Sequence, residues 1–145
     1  MTSRTLAKQI SRFAIEKKAA DVLLMDLRKV TTTADFFVVC SAGSDTQVKA
    51  IADSILDGTE NIGMKAWHAE GMQALMWVVL DYVDVVVHIF HKEARSFYNL
   101  ERLWGDAKIT EITDELEKAV KAHRQAKGES KRLSETGRRR RTVNQ

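Results

Sequence analysis

The 145-residue chain has no proline at all. No pyrrolidine ring breaks a helix or bars a segment from a sheet, so element boundaries must come from caps, glycines and polar turns. Its single cysteine, Cys40, excludes an intramolecular disulfide and a cysteine-cluster metal site. That fits a reducing cytosol. Long apolar runs are lacking too. The longest useful ones are Ala74–Leu80 and Val85–Val87, far short of the ~20 residues that a membrane-crossing helix needs. A soluble, cytoplasmic protein without membrane contact is expected. No acidic residue precedes Glu16, a superficial likeness to a transit peptide. Leu6, Ile10, Phe13 and Ala14, however, recur at helical spacing and lead straight into a strand-like segment, so a first helix is the stronger reading.

What is present suits one compact α/β domain. Hydrophobic residues make up 44% of the chain and charged residues 30%, enough for a core and too little charge for a disordered protein. The net charge of +3 is unevenly placed. Residues 1–107 hold 12 Lys and Arg against 14 Asp and Glu, and residues 108–145 hold 11 against 6. The basic character therefore belongs to the C-terminal stretch, and the folded part is slightly acidic, which argues against a nucleic-acid-binding core.

Ser3 is a plausible N-cap for a helix over Arg4–Lys18, with Lys17 and Lys18 suited to its C-terminal dipole. Asp21–Leu27 and Asp35–Ser41 read as buried strands. Ser44 and Gln47 have capping-box spacing, followed by an apolar stripe of Val48, Ile51, Ala52, Ile55 and Leu56, with Gly58 or Gly63 to end the helix. Met64–His68, Leu75–Leu80 and Val85–Phe90 read as three further strands, and Lys92–Leu103 as a helix packing Ala94, Phe97, Leu100 and Leu103 inward. Trp104-Gly105 closes the domain. The order predicts one five-stranded mixed sheet flanked by helices, with residues 1–107 as the core domain. Residues 108–145 are then a separate stretch: an amphipathic helix over Thr113–Ala126 and a disordered basic tail ending in Arg138-Arg139-Arg140-Arg141.

The two Val-rich strands carry most information. With Tyr82-Val83 as a two-residue loop, Leu80 pairs with Val85, Val78 with Val87 and Met76 with Ile89, an aliphatic face for the core. The other face holds Trp77, His88, Val79, Val86, Asp81 and Asp84. Either a second helix covers it, or it is a binding patch. The indole is a frequent interface anchor, and two directly opposed carboxylates suit a cationic partner. Val83 is a poor residue for so tight a turn, where positive φ favours Gly or Asn.

Ala34-Asp35-Phe36-Phe37-Val38-Val39-Cys40-Ser41 with Gly43-Ser44 and Gln47-Val48, then Glu70-Gly71, Trp77-Val78-Val79-Leu80-Asp81-Tyr82, Asp84-Val85-Val86-Val87-His88-Ile89-Phe90 and Glu93–Trp104 form an ordered series. It resembles the ribosomal silencing factor, or Iojap, family over roughly residues 5–107. The resemblance implies a five-stranded mixed sheet, frequent homodimerisation, and binding to the fourteenth protein of the large ribosomal subunit. That protein lies where the small subunit docks, so occupying it would block subunit joining and repress translation when nutrients are scarce. By position, the contact surface implied is Trp77, Val79, Asp81, Tyr82, Asp84 and His88, with Arg95, Tyr98 and Glu101 nearby. Val83 stands where the family usually has glycine, and the stretch beyond Ala107 exceeds the family core.

Competing readings come from other classes. The family fold is similar to nucleotidyltransferases, and Gly43-Ser44 offers a Gly-Ser turn at a helix start, an anion site in principle. The metal-binding Asp-x-Asp pair is missing, since Asp45 is followed by Thr46 and Gln47. Ser44 is better explained as a cap, and no catalytic residue, cofactor or metal is expected. His88 and His91 fall on opposite faces of a strand, which does not suit a shared metal. An RNA-binding ribosome-assembly module is a further alternative, carried mainly by the polyarginine tail, which could touch ribosomal RNA.

Overall fold

The computed structural model describes residues 1–95 and 107–111. The chain divides into two units, Met1–Thr113 and Asp114–Gln145, and the described residues all lie in the first. The expected amphipathic helix over Thr113–Ala126 and the basic tail lie outside the described residues.

Helix α1 spans Ser3–Glu16. Its N-cap is Thr2, whose side chain accepts from Thr5 N, one residue ahead of the expected Ser3. Ser3 instead donates its hydroxyl proton to Asp35 Oδ2 at 2.8 Å, tying the helix start to the segment before the second strand. Strand β1 covers Ala20–Asp26 and β2 Phe36–Ala42. Helix α2 runs Asp45–Asn61 from the predicted cap: Ser44 accepts from Gln47 N at 3.2 Å. The reciprocal half of the capping box is absent. Gln47 Oε1 accepts from Gly43 N at 2.7 Å, and its Nε2 donates to the Lys17 and Lys18 carbonyls, so the side chain fastens the end of α1 to the start of α2. Removing the cap with Ser44→Ala should cost about 1 kcal/mol, read as a lower urea midpoint with unchanged slope. The helix passes through Gly58 and stops at Ile62, where Gly63 takes φ +85°.

Strands β3 (His68–Glu70), β4 (Trp77–Asp81) and β5 (Val85–His91) follow, then helix α3, described over Lys92–Arg95, and strand β6 (Lys108–Glu111). The third strand thus begins where the expected one, Met64–His68, was to end. The remainder of the helix expected over Lys92–Leu103 lies outside the described residues. The described residues form a six-stranded sheet in the order β3-β4-β5-β2-β1-β6. β2 and β5 pair in parallel, and every other neighbour is antiparallel. The sixth strand corrects the expected five: residues 108–111 pair with Leu23–Asp26, four residues past the boundary drawn at 107. Lys108-Ile109-Thr110-Glu111 is too short and too polar to read as a strand by itself, and β1 supplies the template.

Strand alternation splits the sheet into two sides. One carries Phe36, Val38, Cys40, Val78, Leu80, Val85, Val87 and Ile89, all buried. Leu6, Ile10 and Ala14 of α1 and Val48, Ile51 and Ile55 of α2 are buried too, and both helices contact the sheet here. At roughly 25 cal/mol per Å² of apolar area removed from water, this layer is the main source of stability. The opposite side holds a second cluster: Met25, Leu27, Val39, Phe90 and Ala94, with Leu23, Phe37, Trp77 and Ala107 packed on it.

Candidate functional site

The β4–β5 hairpin keeps the predicted faces and changes the predicted register. Trp77 pairs with Phe90, Val78 with Ile89, Val79 with His88, Leu80 with Val87 and Asp81 with Val86, two residues along from the expected pairing. A shift of two preserves which side each residue faces. The turn is Val83-Asp84, closed by Tyr82 N donating to Val85 O at 2.8 Å. Val83 adopts φ +74°, held by its N–H on Asp81 Oδ1 at 2.7 Å and by Asp84 N on Tyr82 O at 2.9 Å. This strained, β-branched turn residue realises the geometry for which glycine is favoured.

The register corrects the opposed carboxylates. Asp81 faces Val86 across the ladder, while Asp84 sits exposed in the turn, its carbonyl accepting from Asp35 N and Phe36 N. Met76, expected in the core, is exposed, and its carbonyl accepts from His91 N. Tyr82 belongs to the other side of the sheet: it is buried, and its hydroxyl shares a 2.8 Å hydrogen bond with Thr59 of α2. It is therefore not part of the surface carrying Trp77.

What the outer face brings together is Trp77, Val79, Asp81 and His88. Trp77 and Val79 are half-buried and His88 is buried. Trp77 stacks on Phe90 with centroids 5.3 Å apart, and Phe37 meets His88 edge-on at 4.5 Å. The indole Nε1 donates to His88 Nδ1 at 3.1 Å. Because an indole nitrogen only donates, Nδ1 must be the bare nitrogen and the ring proton sits on Nε2. That Nε2 is buried and has no hydrogen-bond partner among the described residues. Desolvation holds the imidazole neutral, its pKa pushed down from 6.5 to about 4.

The third strand, expected at Met64–His68 and observed at His68–Glu70, is the edge strand of this face. β3 pairs His68 with Asp81 and Glu70 with Val79, so two exposed polar side chains flank the Val79–Asp81 segment. Arg95 stands at the other end of β5, donating to Asp21 O at 3.0 Å and to Ser41 Oγ at 2.7 Å. It does not join the Asp81 end. Tyr98 and Glu101 lie outside the described residues.

The remaining chemistry is sparse among the described residues. Cys40 is fully buried, and desolvation pushes its thiol up to about 12, the opposite of a nucleophile's requirement. Asp45 begins α2 with one oxygen 3.7 Å from His91 Nε2. No group of His, Cys, Asp and Glu able to hold a metal ion occurs among the described residues, and none of their helices is long and apolar enough to cross a membrane.

Fold and face together define a small α/β protein built on one open mixed sheet. The same architecture is found in a crystal structure from Chromobacterium violaceum, with a TM-score of 0.71, 30% identity, and coverage of 72% of this chain and 88% of that one. A crystal structure from Bacillus halodurans aligns with a TM-score of 0.65 and 35% identity over 70% of this chain and 95% of its own. The family described as ribosomal silencing factor during starvation, RsfS, matches residues 1–139. The ribosomal silencing factor RsfS of Bacillus subtilis is 40% identical over 112 residues, 77% of this chain and 95% of that protein. The chloroplastic protein Iojap of Zea mays is 33% identical over 108 residues, covering 74% of this chain and 47% of Iojap. The chain belongs to the ribosomal silencing factor RsfS family. Its relatives are named as silencing factors and not as enzymes.

Proposed function

We propose that this protein binds the large ribosomal subunit through the subunit's fourteenth protein, and so prevents the small subunit from joining and represses translation in the cytoplasm. The mechanism is occupation of a surface, with no bond made or broken. Membership of the silencing-factor family supports the class of activity. The observation that carries the site is the outer face of β4, where the half-buried Trp77 and Val79 share one side with Asp81, and Glu70 of β3 stands opposite Val79. An apolar centre with an acidic margin complements a cationic protein surface: the apolar part gives affinity and the charges give orientation and encounter rate. Arg95, Tyr98 and Glu101 extend the proposed surface along the chain. In the same reading the free chain is a homodimer, and the basic stretch after Gly128 touches ribosomal RNA near the docking site.

The test is gradient sedimentation with isolated subunits. Wild-type protein should travel with large subunits and reduce their joining to small ones. The double variant Glu70→Lys and Val79→Lys should weaken binding at least about tenfold, or ~1.4 kcal/mol. It changes one exposed and one half-buried position, and a lysine stem can lie along the sheet with its ammonium in water. Trp77→Ala is the less clean variant, since it also strips His88 of its donor and Phe90 of its stacking partner. Failure of the wild type to associate with large subunits, or association without any effect on joining, rejects the reading.

A further inference from the structure

His88 is a polar residue in an apolar place. Val79 faces it across the ladder from β4, and Val39 faces it from β2. Phe90, two residues along on β5, lies nearly parallel to it with centroids 6.4 Å apart, and Phe37 meets it edge-on at 4.5 Å. With 6% of its surface in water, the imidazole offers a partner little to touch. A leucine would fill the site without a polar atom. Histidine instead leaves Nε2–H buried with no hydrogen-bond partner among the described residues, a desolvation cost that native folds avoid unless something requires it.

What histidine supplies there, and an aliphatic residue cannot, is an acceptor for Trp77. The ladder partner of Trp77 is Phe90, so His88 is its diagonal neighbour, within reach of a long side chain. The indole Nε1 donates to His88 Nδ1 at 3.1 Å. Stacking on Phe90, with 25° between the rings, sets the plane of the indole. It does not choose which edge of the ring points into the sheet, because an aromatic χ2 is broad and roughly two-fold. The hydrogen bond makes that choice. It turns the N–H edge inward onto a buried acceptor, while the side chain as a whole stays half-buried at the docking face.

We propose that His88 is a positioning residue for docking: by holding the indole N–H of Trp77 inward it presents that ring as hydrocarbon, and the site that receives it on the ribosomal protein is apolar, with no acceptor for the indole. The proposal rests on the docking function argued above and names the chemistry of its central contact. An indole whose N–H pointed outward would need a matching acceptor, or would bury the group unpaired on binding and lose affinity. Fixing one ring orientation in the free chain also lowers the ordering cost of association. The cost of burying Nε2 in the free chain is thus offset on binding.

The experiment uses full-length protein, purified large subunits and an equilibrium binding assay, with NMR of the indole N–H groups. In the wild type the Trp77 indole N–H, identified by its loss in Trp77→Phe, should exchange with solvent at least about tenfold more slowly than that of Trp67, which is 69% exposed. His88→Leu should raise Kd about tenfold. It should leave the melting temperature within about 4 °C, since the lost hydrogen bond is offset by removal of an unsatisfied N–H. His88→Asn, whose side-chain carbonyl can accept near the place of Nδ1, should recover most of the lost affinity. An unchanged Kd for His88→Leu, beside wild-type binding, overturns the positioning role and leaves the docking reading intact. A Kd increase that comes with a larger fall in melting temperature also overturns it, because His88 would then be structural. So does a folded His88→Asn protein that docks no better than His88→Leu. Exchange of the Trp77 N–H as fast as that of Trp67 overturns it in the wild type, whatever the variants do. Absence of wild-type binding rejects the docking reading itself, and the proposal with it.

Discussion

Acidification from pH 7 to pH 4 is expected to remove about 3 kcal/mol of stability through one side chain, His88. Its imidazole is 6% exposed, and burial lowers its pKa from 6.5 to about 4. A histidine with a depressed folded pKa binds fewer protons folded than unfolded, so acid favours the unfolded chain. The contribution is complete above pH 6.5, shrinks by up to ~1.4 kcal/mol per pH unit as the pH falls towards 4, and changes no further below that. Geometry supports the sign. Protonating Nδ1 would set its N–H against the indole N–H of Trp77, donor against donor, so the 3.1 Å bond must break. Asp26 titrates in a lower window: the hydrogen bond from Arg28 brings its pKa down from 3.8 to about 2. Its contribution is present above pH 3.8 and is lost as the pH falls towards 2. Urea unfolding of the wild type and His88→Gln between pH 4 and 7.5 isolates the histidine's contribution. The difference between the two curves should shrink as the pH falls, and parallel curves would exclude the assignment.

Gly71→Ala should be the most damaging single methyl group in the hairpin. Gly71 has φ +84°, and a Cβ there would stand 2.1 Å from Trp77 O and 3.0 Å from Trp77 C. Both are backbone atoms of β4, so no side chain can turn aside to make room. The turn cannot easily open either, because Gly71 O accepts from Leu75 N at 3.0 Å. The expected cost is on the order of 3 kcal/mol, a fall in melting temperature of roughly 10 °C, with weakened docking because Trp77 shifts. Gly63→Ala is the control. It has a similar φ of +85°, but nothing lies within 4 Å of the added carbon, so only the conformational penalty of about 1 kcal/mol applies. Equal losses in the two variants would show that φ, and not the approach of Trp77, sets the cost.

Alternation encodes the side of the sheet a residue faces, and not its partner across the ladder. The stripe Val48, Ile51, Ala52 and Ile55 is buried as its spacing implies, and Ser44 caps the helix ahead of it. Strand alternation placed Val78, Leu80, Val85, Val87 and Ile89 on one side and Trp77, Val79 and His88 on the other, as observed. It could not set the register, because a slip of two residues leaves every face unchanged. Turn chemistry normally settles that choice, and here the positive φ falls on Val83, where the sequence carries no Gly or Asn to announce it. Tyr82 misled for a related reason. The family resemblance implied it for the contact surface by position, but it takes the parity of Leu80, and its contact with Thr59 puts it on the helix side. β6 was illegible because its four residues carry no apolar period and depend on β1 for pairing.

The strand order has a consequence for how the protein avoids associating with itself wrongly. Val85-Val86-Val87-His88-Ile89-Phe90 and Phe36-Phe37-Val38-Val39 are the kind of segments that stack into cross-β fibrils when their backbone edges are open. Both lie in the middle of the sheet, and the two outermost strands are the shortest, three residues in β3 and four in β6. Those margins carry Glu70 and Lys108 where a longer hydrophobic strand would invite an incoming chain. The polar ends thus shield the fibril-forming centre.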